Sequence, residues 1–352
     1  MALVPTIDEI DARWLAEHLA LGDATHVTAS SVGHGQVANC YRLVVERGDA
    51  PTTSFIAKVP SLDAVSRSTA TLQHLYEREV SFYRLLASNV SIRTPQCFFA
   101  RRDEEDGFLL ILEDLSPAAL IDQFGGIDVE VARHGLAALA GLHGPTHALE
   151  DLHRSSWLRG VSEELAPIYA SVLPALFDQF LARYDERLED DVRVMVTTLR
   201  DRLAQFSNYA TPNPCVTHGD FRTDNLLIDA CDGAVPLAVV DWQTIGVGSP
   251  LLDVAYFLTT SLSADDCVRH ETELIDYYLD AMSEQQVRIS PAVAHHEFAR
   301  YTLQPIVMLV AASVIVEQTP RGDEMFLTMI GRAVVAATRW NALEELEHRV
   351  AS

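Results

Sequence analysis

The spacing of apolar residues changes once along this chain, and the change divides it. Up to about residue 113, apolar positions mostly fall in short alternating runs broken by turn residues; from residue 128 onward they recur every three or four. The opening stretch is an exception. Thr6 with Glu9 three residues later has the form of a capping box, and Ile10, Trp14, Leu15 and Leu19 follow at helical spacing, so one amphipathic helix is predicted over residues 6–20. Strand-like runs at 27–32, 40–45 and 54–60 then follow, separated by the glycine-containing stretch 33–39 and a turn at 47–51. A helix over 69–86 carries Glu77 and Glu79. Runs at 97–100 and 107–112, either side of the acidic turn 103–106, complete a predicted five-stranded antiparallel sheet.

Beyond a crossing at 113–117 the pattern is helical. Val131, Leu136, Leu139, Ala140 and Leu142 define a helix that starts near Asp128 and ends at His143-Gly144-Pro145. Two or more amphipathic helices are expected within 162–207, and further helices, interrupted at Pro291 and Pro305, within 264–348. Two β-type runs interrupt this region: Leu226-Leu227-Ile228 and, after an Asp232-Gly233 turn, residues 235–240. The pattern predicts an α+β protein with a small sheet-based region at 1–113 and a larger helical region at 114–352.

Composition narrows the class. The chain has 352 residues, 48% of them hydrophobic, enough for two packed cores. With 26 basic against 50 acidic residues the formal charge is −24, which argues against a nucleic-acid partner because a phosphate backbone needs a basic footprint. An acidic surface is a common solubility device and also suits a cationic substrate. The five cysteines are scattered and never in C-x-x-C spacing, arguing for reduced thiols rather than a disulfide framework or a zinc site. No basic-then-apolar leader opens the chain and the apolar run at 306–316 is too short to span a bilayer, so a cytoplasmic protein without a membrane anchor is expected.

The most informative stretch is His218-Gly219-Asp220-Phe221-Arg222-Thr223-Asp224-Asn225 with the apolar run that follows it. Transfer of phosphate from ATP needs a carboxylate to take the acceptor hydroxyl's proton and oxygen ligands to hold magnesium against the phosphates. Asp220 and Asn225 have the types and separation for those roles, and a hairpin return would place Asp241 as the second metal ligand. Taken alone, the loop also reads as a turn capped by Asp and Asn side chains.

H-G-D-x-x-x-x-N followed by an apolar run and Asp241-Trp242-Gln243 resembles the aminoglycoside phosphotransferase and choline kinase superfamily. The D-W-Q string and Leu112-Glu113-Asp114-Leu115 are most similar to its ecdysteroid kinase-like branch. The resemblance implies a bilobal protein-kinase-like fold, ATP and Mg²⁺ as cofactors, and a small-molecule alcohol as acceptor. It implies that Lys58 binds the nucleotide phosphates and is held by a helix glutamate, Glu79 in an E-x-x-F-Y match, with Glu77 as the alternative. It gives Gly33 and Gly35 to a phosphate-covering turn, although a plain β-turn fits that stretch equally. Glu113 and Leu115 belong to a hinge that meets adenine through its backbone. Arg222 either offsets charge on the transferred phosphoryl group or bridges to Asp224. Asp253 matches an acidic position that braces the catalytic loop, or makes a charge interaction at a helix start. Two other readings stay open: an aminoglycoside- or choline-type kinase with a cationic acceptor, and a nucleotide-binding pseudokinase.

Overall fold

A computed structural model describes residues 4–32, 37–103, 107–119, 121, 123–147, 155–158, 166–207, 211, 214–316 and 318–346. Gly33 and Gly35 lie outside the described residues. The chain forms two compact units: residues 1–89, 93–118 and 229–245 in the first, 90–92, 119–228 and 246–352 in the second.

The first unit is built on a five-stranded antiparallel sheet. After helix α1 (Ala12–Leu19) come strands β1 (Ala24–Ser31), β2 (Ala38–Arg47) and β3 (Ala50–Pro60), helices α2 (Ala64–Leu72) and α3 (Leu75–Ser81), and strands β4 (Cys97–Arg102) and β5 (Phe108–Glu113). The sheet order is β1-β2-β3-β5-β4, so β3 is central and hydrogen-bonded on both sides. Successive side chains of a strand face opposite ways. Phe55, Ala57 and Val59 of β3 therefore enter one apolar core, with Ile10, Leu15, Leu43, Val45, Leu109 and Ile111, and Lys58 falls on the other face.

Two predicted helices are broken in this unit. The Thr6–Glu9 capping box is present, but it closes only a single 3-10 turn at Ile7–Glu9, and Ile10 leaves helical geometry at φ −85°, ψ 80°. Asp11 then starts α1 afresh by accepting the Trp14 N–H at 2.7 Å. The expected helix at 69–86 begins earlier, where Asp63 caps Ser66, and is split at His74, which takes a left-handed φ of 55°. Its C-terminal part continues from α3 into a π-turn at Phe82–Leu86.

The second unit is mainly helical. It contains α4 (Val129–Thr146), α5 (Ala166–Tyr184), α6 (Asp190–Asp201), α7 (Leu203–Ser207), α8 (Pro250–Ser261), α9 (Ala264–Glu284), α10 (Pro291–Tyr301), α11 (Leu303–Ile315), α12 (Pro320–Arg339) and α13 (Ala342–Glu345). Side-chain caps begin several of them: Asp128 accepts from Val131, Ser249 from Leu251 and Ser263 from Asp266. A large core joins Phe177, Phe180, Val196 and Leu199 with Leu303, Ile306, Val310, Met329 and Ile330. The stretch Pro291–Ile315 is long and apolar enough to cross a membrane, yet it consists of two helices, α10 and α11, most of which is buried in the protein. Strand β6 (Cys215–Thr217) pairs antiparallel with a strand at Gly246–Gly248. That pairing fixes the entrance to the loop that follows β6. All five cysteines are free thiols.

Candidate active site

In the first unit, three charged groups meet around the central strand. Lys58 is 7% exposed, lies opposite Cys40 on β2 and Leu110 on β5, and so occupies neither an edge nor a solvated position. Its ammonium sits 2.7 Å from Glu79 on α3 and 2.8 Å from Asp241. Glu79 is therefore the partner of Lys58. Glu77 points elsewhere, to Arg102 at 3.1 Å and His74 at 3.4 Å. Burial works against the Lys58 charge, but Asp241 and Glu79 outweigh it and hold the ammonium above the ordinary lysine value. Burial pushes the Glu79 carboxyl up, and Lys58 pulls it back.

The string Asp241-Trp242-Gln243 belongs to this cluster residue by residue. Asp241 takes a left-handed φ of 68°, an uncommon conformation for a residue with a side chain, and one that aims its carboxylate at Lys58. The Trp242 indole is fully buried and stacks on Phe82, with ring centroids 3.8 Å apart, while its backbone N–H donates to the Glu79 carboxylate. The Gln243 amide donates to the other Asp241 oxygen at 3.2 Å.

The residues expected to form the hinge are also tied down in this unit. The Glu113 N–H donates to the Gln96 carbonyl and its carboxylate takes Arg93 at 2.8 Å on both oxygens. Asp114 takes Arg42 at 2.7 Å and the Ser116 N–H at 3.1 Å, and the Leu115 carbonyl accepts from Cys231 at 3.2 Å. Both acidic side chains thus hold the backbone around residues 113–116 in place.

In the second unit, the loop after β6 presents Asp220. Gly219 turns the chain with φ 83°, a conformation that glycine adopts without cost. Arg222 Nε reaches both Asp220 oxygens, at 3.1 and 3.3 Å, and the Arg222 guanidinium also pairs with Asp224. Arg222 thus makes the expected bridge to Asp224 while also pairing with Asp220. Burial lowers its charge affinity, but Asp220 and Asp224 more than offset this. Asn225 Nδ2 donates to the Asp220 carbonyl at 2.8 Å and to its carboxylate at 3.1 Å, so the two residues share one side of the loop.

The base of the loop is held by Asp253, fully buried in the first turn of α8. Its oxygens accept the N–H groups of His218 at 2.6 Å and Gly219 at 2.9 Å. His143 Nε2 meets the same carboxylate at 3.1 Å. Asp253 braces the loop directly, beyond any interaction with its own helix dipole.

Magnesium requires hard oxygen donors and takes few of them from protein when phosphates are present. Because the Asn225 nitrogen is committed to Asp220, its amide oxygen is the atom offered to a cation. Asp241 offers a carboxylate whose oxygens keep further lone pairs beside Lys58 and Gln243. Each, taken by itself, is a donor of the type magnesium accepts. Among the described residues no group of three or more His, Cys, Asp or Glu is placed to hold a metal.

Three contacts have little or no sequence signal. The Tyr256 hydroxyl hydrogen-bonds Asp220; burial and that carboxylate hold the phenol well above its usual range. Its spacing of three from Asp253 on one helix is the signal that links it to the loop. Gln243 stands inside the D-W-Q motif, although the motif alone gives it no role. Tyr278, on His143, has no sequence signal at all.

A sheet-based first unit, a helical second unit and these residues define the protein-kinase-like phosphotransferase class. The chain belongs to the ecdysteroid kinase-like family, whose model matches residues 33–290. No curated protein matches the sequence. Among solved structures, a Ralstonia eutropha protein provisionally assigned as an aminoglycoside phosphotransferase is similar at TM-score 0.56 and 14% identity, covering 94% of this chain and 97% of the other. A microcompartment-associated aminopropanol kinase gives 0.53 and 14%, covering 96% and 98%. The GDP complex of aminoglycoside 2′-phosphotransferase-IIIa gives 0.54 and 13%, covering 91% and 97%. At this identity the likeness is one of fold. Family and fold together are those of small-molecule phosphotransferases.

Proposed function

We propose that the protein transfers the terminal phosphoryl group of ATP, with magnesium, to a hydroxyl of a small molecule. The observation that carries this reading is the pairing of Asn225 with Asp220 on one side of the loop, a base and a metal ligand held together as phosphoryl transfer requires. Asp220 orients the acceptor hydroxyl and takes its proton, a contribution on the order of 10²–10⁴-fold. Arg222, already on Asp220, faces the charge that builds on the phosphoryl group. Lys58, fixed by Glu79, steadies the nucleotide phosphates, and the Glu113–Leu115 backbone meets the adenine edge. Asn225 and Asp241 hold magnesium, which when bound neutralises phosphate charge and aligns the terminal group.

For the acceptor, the ecdysteroid kinase-like family points to a bulky, largely apolar alcohol such as a steroid or hydroxyacyl compound. The aminopropanol and aminoglycoside kinases of similar fold act on amine-bearing acceptors, which the charge of −24 would suit. The test is ADP release with magnesium across aminoglycosides, choline analogues, sugars, hydroxy acids and steroids, with Asp220→Ala as control. Acceptor-dependent turnover in the wild type, lost in the variant, is expected. Turnover confined to cationic acceptors would overturn the apolar preference, and nucleotide binding without turnover on any acceptor would overturn the enzyme reading.

A further inference from the structure

We propose that Tyr278, on α9, is a positioning residue for the catalytic loop, acting through His143 and Asp253. The inference rests on the reading of that loop as the one carrying the base. Asp253, His143, Tyr278 and His218 are all fully buried. Asp253 accepts two backbone N–H groups, one on each oxygen, so it serves as an acceptor toward His143 as well. His143 Nε2 therefore carries a proton, and in the neutral imidazole Nδ1 is then an acceptor. The Tyr278 hydroxyl, 2.8 Å from Nδ1, supplies the donor.

The result is a directed chain: Tyr278 O–H to His143 Nδ1, His143 Nε2–H to Asp253, and Asp253 to the N–H groups of His218 and Gly219. It ends one residue before Asp220. Three separate helices, α9, α4 and α8, thereby set where the loop begins. Replacing Tyr278 by Phe keeps the ring but leaves Nδ1 a buried acceptor without a donor. The His143 ring then loses its fixed orientation, and the Asp253 grip on the loop loosens.

The experiment compares Tyr278→Phe with Tyr301→Phe. The second removes a buried tyrosine hydroxyl in the same unit, one that bonds Thr211. Amide hydrogen exchange at His218 and Gly219 is expected to quicken about tenfold in Tyr278→Phe, the effect of one lost buried hydrogen bond, and to change less than about twofold in Tyr301→Phe. With an acceptor in hand, Tyr278→Phe should lower kcat about tenfold and leave the KM for nucleotide within about twofold.

Unchanged exchange at His218 and Gly219, or equal acceleration in both variants, overturns the chain. Faster exchange with unaltered kcat overturns its role in positioning while the kinase reading stands. A wild type silent on every acceptor sinks the kinase reading, and the positioning of a catalytic loop with it, while exchange still reports on the hydrogen-bond chain. Side-chain ¹⁵N shifts of His143 in the wild type check the assignment without any variant: the Nε2–H tautomer is expected, and the Nδ1–H tautomer overturns it.

Discussion

Glu77 and Glu79 lie two residues apart on α3 and look alike in sequence, but the structure gives them very different energies. Removing one partner from a buried ion pair costs roughly 3–5 kcal/mol when the other charge is stranded. Lys58 is not stranded by Glu79→Gln, because Asp241 remains at 2.8 Å and the new amide oxygen still accepts a hydrogen bond. The substitution also relieves the burial that pushes the Glu79 carboxyl up. Both effects reduce the loss, to about 2 kcal/mol by the same scale. Glu77, with a side chain 36% exposed against an Arg102 side chain 35% exposed, makes a surface pair for which a loss of at most about 1 kcal/mol is expected. Urea unfolding, compared at an unchanged denaturant slope, measures both. Equal losses for the two variants, or a larger loss for Glu77→Gln, would refute the assignment of Glu79 as the buried partner of Lys58.

Trp242→Ala should destabilise by about 3–5 kcal/mol, since the indole is fully buried against Phe82; a melting or urea curve decides it. Gly126→Ala should cost about 2 kcal/mol in the same assay, because φ is +73° and a Cβ would lie 2.8 Å from the Ser261 carbonyl oxygen. Arg222→Lys should lower turnover and leave folding intact, as an ammonium cannot reproduce the Nε contact with Asp220 while bridging to Asp224; steady-state kinetics beside a circular dichroism melt would show it. The Lys58 ammonium is held above its ordinary value of 10.5, so its contribution is full below that pH and fades as pH rises beyond it. Above about pH 10.5 the wild type should therefore lose stability more steeply than Lys58→Met in alkaline urea titrations.

Much of this was legible from short-range pattern. Alternation located the strands, and the fixed spacing from His218 to Asn225 located residues that share one side of a loop. The breaks at Ile10 and His74 were not, because each depends on one backbone conformation that leaves the apolar spacing undisturbed. Nor could periodicity show that residues 229–245 pack with the first unit, or that Trp242 lies on Phe82. Those facts come from contacts between residues far apart in the chain. Glu77 and Glu79 illustrate the limit: both sit at helical positions, and only the geometry of α3 decides which one turns inward.

The contribution of Asp229–Ile245 to the first unit has a consequence for the order in which the protein can be built. Lys58 and Asp241 stand 183 residues apart, and at ~5–20 residues per second a ribosome needs roughly ten to forty seconds to travel from one to the other. Throughout that interval the nascent amino-terminal unit lacks Asp241 for its buried lysine and Trp242 for the face of Phe82. The usual vectorial sequence, in which the first unit is finished before the second is begun, is interrupted here. The amino-terminal unit closes only after the chain of α4 to α7 has emerged, and a protein truncated before residue 241 would leave Lys58 with Glu79 alone.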